Sequence, residues 1–242
     1  MSNKETEKKP LYMKQGNAKL AKDITIFSLP AGFSCPGAKQ CLTMADPDTG
    51  KTKMGAHAEF KCFAAAVEFR SSVRASRWGN FEKLKLAGTK IKMARLIQTS
   101  IPAGTAKLRI HESGDFFSQD YFDAWLSVTR RNPDIIFYAY TKSLKYWANR
   151  IMDIPNNFRL TASRGGKFDH LIEDLGLRSA EVIFHPDDAK GMDIDHDDSH
   201  AYGDDKKSFA LLLHGNQPKD TPAAAAIRRM KKENIQYSYG QK

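Results

Sequence analysis

Beyond Lys107 the chain alternates short β-branched and aromatic runs with amphipathic stretches of helical period. That alternation admits few folds. Lys107–His111 (KLRIH), Ile135–Tyr140 (IIFYAY), Phe158–Ala162, Glu181–Phe184 and Phe209–Leu213 read as strands. Between them lie helical patterns at Ser118–Arg131, Leu144–Met152 and Phe168–Leu175, the last closed by Gly176. Pro222–Glu233 is a closing helix with proline at its first position. An earlier strand at Asp23–Ser28 brings the count to six. Strands that alternate with helices build parallel sheets, and six fall short of a closed eight-stranded barrel. The expected fold class is therefore α/β: a partial (β/α)6 TIM-like barrel with parallel strands, a single domain over residues 23–242.

Residues 1–22 read as a flexible charged leader. From Ala56 to about Leu86 the apolar residues Phe60, Phe63, Ala64, Val67 and Val73 recur at helical spacing, which predicts one helix. A second is expected over Lys90–Ile101, stopped by Pro102 and Gly104.

All three cysteines lie in the loop 29–62, as Cys35, Cys41 and Cys62. Converging thiolates select zinc, copper(I) or an iron–sulfur cluster, although free cysteines are also common as small core residues. Cys35 and Cys41 flank the Pro36-Gly37 turn, a position that presents side chains better than it hides them. His57 would complete a zinc set of C-x5-C-x15-H-x4-C, but common fingers pair their ligands two to four residues apart. A [4Fe-4S] cluster on three cysteines leaves one iron for His111, a small molecule or solvent. Cys62, in the first turns of the helix expected from Ala56, gains from its dipole.

Active groups of parallel βα folds collect at the C-terminal edge of the sheet. Polar residues do follow each expected strand here. His111 and Asp115 are the candidate catalytic groups, and Tyr140, Arg164, His185 and His214 the candidate cofactor-binding groups. Asp115 or Ser118 could equally cap the following helix, and Gly165-Gly166 could form a tight turn or a nest for an anion. Residues 187–207 hold eight aspartates and read as a solvated acidic insertion that covers the mouth. The spacing of Asp193, Asp195 and Asp197 lacks the glycine and glutamate of a calcium loop.

The 242 residues carry a formal charge of +10, which favours anionic partners such as nucleic acid or an anionic small molecule. Nine of the cations lie between Lys61 and Arg95 against Glu68 and Glu82 alone, and Arg70, Arg74 and Arg77 head that face. No apolar run is long enough to span a membrane, and no apolar secretory segment opens the chain. An odd number of cysteines suits a reducing cytoplasm better than a disulfide framework.

Gly16-Asn17-Ala18-Lys19-Leu20, FSLPAGFSCPGA at 27–38, CFAA at 62–65, RIHESGDFFSQDYFDAW at 109–125 and FYAYTKS at 137–143 occur in this order. In these motifs the chain resembles the "gene product eighty-eight" family of phages and plasmids. The resemblance implies a protein of viral or mobile-element origin acting in the host cytoplasm, with Cys35, Cys41 and Cys62 as cluster ligands. His111, Ser113, Gly114 and Asp115 form its second motif. The expected architecture is also similar to radical S-adenosylmethionine enzymes, which implies that cofactor and an external electron donor. Those enzymes use C-x3-C-x2-C, whereas the gaps here are five and twenty residues. The expected activity is redox or radical chemistry on a small or nucleotide-like anionic substrate. The alternative is a zinc- or cluster-stabilised nucleic-acid-binding protein without catalytic activity.

Overall fold

The computed structural model describes residues 10–17 and 20–236. Its main sheet has seven strands: β1 (Met13–Gln15), β2 (Ile24–Phe27), β5 (Lys107–Ile110), β6 (Ile136–Thr141), β7 (Phe158–Ser163), β8 (Ser179–Ile183) and β9 (Phe209–Leu212). They lie in that spatial order, so the last six run parallel and sequential, and β1 pairs antiparallel with β2. The six parallel strands are the six that the alternation predicts. Among the described residues β9 does not pair back onto β1 or β2, so the sheet is open and no closed barrel forms.

Alternation along each strand divides the apolar residues between two faces. Phe27, Leu108, Ile110, Phe137, Ala139, Phe158 and Leu160 face a core built from α2 (Ser71–Ala87), α3 (Lys90–Ser100), α4 (Gln119–Arg131), α5 (Leu144–Ala148) and α6 (His170–Asp174). Tyr121, Phe122, Trp125 and Val128 supply the buried face of α4, and the Ser118 side chain accepts from the Tyr121 N–H as its cap. Ile24, Ile26, Tyr138, Ala180 and Phe209 project from the opposite face. There they meet Ala201 and Tyr202 of α7 (Ser199–Tyr202), inside the acidic insertion.

The structure differs from two expectations. Within the expected leader Leu11 and Leu20 are buried, and the Leu11 N–H donates to Ser100 Oγ at 2.8 Å. Residues 1–9 and 18–19 lie outside the described residues. The helix expected from Ala56 begins only at Phe63, because 55–61 bind back onto the cysteine loop, with Glu59 N–H donating to Gln40 O. It then breaks into α1 (Phe63–Ala66), a single 3₁₀ turn and α2, with Arg70 extended between the last two. Within the cysteine loop β3 (Thr43–Ala45) and β4 (Thr52–Met54) form a two-stranded hairpin, which spacing alone did not reveal. No described helix is long and apolar enough to cross a membrane.

Candidate metal centre at the strand ends

The cysteine loop leaves β2 and lies across the C-terminal ends of β5, β6 and β7. Its contacts are too close for ordinary side chains. A Cβ on Gly37 would collide with the Lys142 carbonyl, and one on Gly114, whose φ is 88°, would lie 2.5 Å from Ser34 Oγ. Further along, Gln40 N–H donates to Gly165 O, Lys167 N–H donates to Gly37 O, and Ala38 bridges Gly166. A buried ion pair supports the loop from the other side. Glu68 Oε1 accepts from Ala31 N–H at 2.8 Å and from Arg77 at 3.1 Å, and Arg77 also donates to Ala64 O.

This arrangement brings Cys35, Cys41 and Cys62 onto one cavity of about 190 Å³, with His111, Asp115, Tyr140 and His214. Ala31, Ala38, Phe60, Phe63, Leu211 and Leu213 supply much of its apolar wall. Burial, more than any other influence, pushes all three thiols up, Cys41 to about 11. The charge of Cys62 adds to the rise at Cys35 and Cys41, whereas Lys142 pulls Cys41 down. Cys62 is the N-cap residue of α1 rather than part of a first turn, and the N–H groups of Ala64 and Ala65 favour its thiolate. Among the described residues no three His, Cys, Asp or Glu side chains gather tightly enough to ligate one ion. Thiolates on a single zinc sit about 3.8 Å apart, given tetrahedral bonds near 2.3 Å. A four-iron cluster binds each thiolate at a separate corner and takes wider spacing. The three thiols are half-buried beside apolar walls, where a thiolate needs positive charge close by to be stable. His57, the fourth member of the zinc set, is exposed and lies off the cavity.

His111 has a φ of 68°, a conformation that costs a non-glycine residue about 1–3 kcal/mol and is kept where surroundings impose it. Its ring lies between Phe27 and Phe116, Nε2 is 2.9 Å from the Tyr121 hydroxyl, and Nδ1 is buried without a partner among the described residues. Burial lowers the imidazole to about 3, so it is neutral at pH 7. Asp115 does not cap α4. It accepts from Phe116 N–H, Thr141 Oγ1 and Lys142 N–H at 2.6–2.8 Å, and burial outweighs these bonds to lift its carboxyl to about 6. Tyr140 donates to Asp195 and Asp198 at 3.4 and 3.3 Å, and the His214 ring lies 4.5 Å from the Phe63 ring, tilted by 40°.

Two candidates lie off this cavity. Arg164 is drawn away from the cavity by Glu173 at 2.7 Å and Ser179 at 3.0 Å. His185 is held between Glu233 and Asp187 at 2.8 and 3.0 Å, where it caps a 3₁₀ turn. The nest at Gly165-Gly166 is filled by the Asp169 carboxylate, which accepts from both N–H groups. Nor is the acidic insertion solvated throughout. Asp195 and Asp198 are 1% exposed, and Asp198 pairs with Arg109 and accepts from Tyr138 on the sheet face. The basic face also loses members: Arg77 is buried, and Arg74 donates to the carbonyls of Pro47, Asp48 and Glu68.

Spacing missed three cavity residues. Arg109 stands on the sheet face opposite buried Leu108 and Ile110, so a charge inside an alternating strand was its signal. Asp198 was hidden among seven other insertion aspartates. Lys142 follows β6 directly and is 7% exposed, its ammonium donating to Ser163 O and Oγ at 3.0 Å and to Arg164 O.

Fold and site together define an open, mostly parallel α/β protein with a three-thiol pocket at its strand ends. The chain matches the Gene product 88 family over residues 3–233, and it belongs to that family. It is 31% identical over 140 residues to the Gene 88 protein of Mycobacterium phage L5, covering 53% of this chain and 52% of that protein. The chain thus spans about half the length of the curated relative it matches. No solved structure matches.

Proposed function

We propose that this phage-family protein carries a [4Fe-4S] cluster on Cys35, Cys41 and Cys62 and performs redox or radical chemistry on a small anionic substrate. One observation carries the reading: three thiols separated by gaps of five and twenty residues share one largely apolar cavity with strand-end polar groups. The cluster would supply one-electron chemistry, fed by an external donor. The chain's own groups would do the rest. Lys142 places positive charge beside Cys41 and favours its thiolate. Asp115, its carboxyl lifted to about 6, would accept protons at pH 7, and neutral His111 would serve as a hydrogen-bonding group of the same cavity.

Six parallel strands in sequential order, with most helices on one face, have the connectivity of a partial (β/α)6 barrel. In radical S-adenosylmethionine enzymes a three-cysteine cluster occupies the equivalent mouth, so S-adenosylmethionine is the co-substrate to titrate first.

The test is the absorption and electron paramagnetic resonance spectrum of anaerobically purified protein before and after dithionite. Brown protein that bleaches and gains a paramagnetic signal supports the reading. Colourless protein with one zinc per chain overturns it.

A further inference from the structure

Between Glu82 and Glu112 the sequence holds no acidic residue. Within that stretch Lys85, in the last turn of α2, and Lys90, Lys92 and Arg95 of α3 are exposed. None of the four forms an ion pair among the described residues. The Gly88-Thr89 turn joins the two helices, and Lys85, Gly88 and Met93 border one hollow there. Asp120 borders it too, and Glu82 lies three residues before Lys85, yet neither pairs with any of the four cations. α3 turns Met93, Ala94, Ile97 and Ser100 into the core, so Lys92, Arg95 and Thr99 run along its outer face. Folding opposes this placement of charge. Lys90 and Lys92 occupy the first turn of α3, at the positive end of its dipole, with no acid beside them. Lys92 and Arg95, one turn apart, repel each other. In α8 (Pro222–Lys232), by contrast, Arg229, Lys231 and Lys232 lie in the last turn, where the dipole favours them.

We propose that this corner of α2 and α3 binds the phosphate backbone of nucleic acid. Cations that cost the helix stability and lack a partner in the chain are complementary to a polyanion outside it, and a run of phosphates meets several of them at once. Release of the counterions around those phosphates supplies the affinity, without preference for base sequence. An anionic membrane fits the corner less well. Its large exposed apolar side chains are Leu86 and Ile91, 48% and 78% exposed, while the apolar face of α3 is spent in the core. The proposal goes beyond the cluster reading and does not depend on it.

The experiment is fluorescence anisotropy of the intact protein with a labelled short DNA duplex and with a labelled RNA strand, which distinguishes the two sources of backbone. Salt is varied from about 50 to about 200 mM. Expected is binding whose Kd rises steeply with salt. Combining Lys90→Gln, Lys92→Gln and Arg95→Gln should raise the Kd about tenfold or more at the lower salt. It should also reduce the slope of log Kd against log salt by about 2 to 3 on the duplex. Thermal stability should hold or rise, because the conflict with the dipole is removed. Should that variant melt earlier, Lys92→Gln and Arg95→Gln taken singly should each reduce the slope by about 0.9. The control combines Arg228→Gln, Lys231→Gln and Lys232→Gln, which takes equal charge from exposed positions of α8 and should leave the Kd within about threefold. No binding of either probe at the lower salt overturns the proposal. So does an equal loss in the α8 variant, which would assign binding to net charge alone. Binding to phosphatidylserine vesicles but to neither nucleic acid would overturn it in favour of a membrane contact. Brown and colourless protein should bind alike, so this inference and the cluster reading fail separately.

Discussion

The two halves of the strand-end edge are built from similar residues and do opposite things. Over β2, β5 and β6, polar groups are buried around a cavity with atoms left unpartnered among the described residues: His111, Ser113 and Arg109 beside three thiols. Over β7 and β8, Arg164 and His185 hold equivalent positions but are spent on Glu173, Glu233 and Asp187, where they fasten neighbouring segments. Position at a strand end thus selects candidates. The state of pairing decides which of them are available for chemistry, since a satisfied ion pair must be broken before it can serve a ligand.

The sharpest break in this comparison comes from the cysteines. Cys35→Ser, Cys41→Ser or Cys62→Ser should each abolish stoichiometric iron, whereas Arg164→Ala and His185→Gln should leave iron unchanged, read by elemental analysis. Next is the support beneath the loop. Glu68→Ala strands the buried Arg77 guanidinium and frees Ala31 N–H. It should cost about 3–5 kcal/mol in urea unfolding. A loss below about 1 kcal/mol would show that the pair does not hold the loop.

A smaller effect separates His111 from Asp115 in metal-free protein. Below its unfolded value of 6.5 and down to about 3, His111 takes a proton only in the unfolded chain, so its contribution to stability is lost as pH falls. Between 3.8 and about 6, Asp115 holds a proton only in the folded chain, so its contribution is lost as pH rises. From pH 4 to 6 the two slopes, each roughly 1.4 kcal/mol per pH unit, oppose one another. His111→Gln should therefore make stability fall with rising pH across that window, and Asp115→Asn should make it rise. Urea midpoints at pH 4, 5 and 6 measure both, and unchanged slopes in the two variants would contradict the assignment. Smallest of all, Arg164→Ala removes a partly exposed pair with Glu173 and should cost no more than about 1 kcal/mol.

Much of this was legible in the chain itself. The alternation beyond Lys107 and the earlier strand at Asp23–Ser28 specified six parallel strands because each buries a regular apolar face, and Phe137, Ala139 and Tyr138 show the period directly. Convergence of Cys35, Cys41 and Cys62 followed from their common loop after β2. What stayed hidden were long-range pairings. Nothing local distinguishes Asp198, buried against Arg109, from exposed Asp204 on the same insertion. Arg77 reads as a surface cation until Glu68 folds beneath Ala31. The leader's Leu11 packs through a donor to Ser100, 89 residues away, which no periodicity records.

The central claim is that three thiols on one cavity hold a cluster, and iron with acid-labile sulfide per chain tests it most directly. Anaerobically reconstituted protein should carry about four of each per chain, and each of the three Cys→Ser variants should lose both. Zinc in place of iron, or a Cys35→Ser, Cys41→Ser or Cys62→Ser variant that keeps full iron and sulfide, would contradict the account.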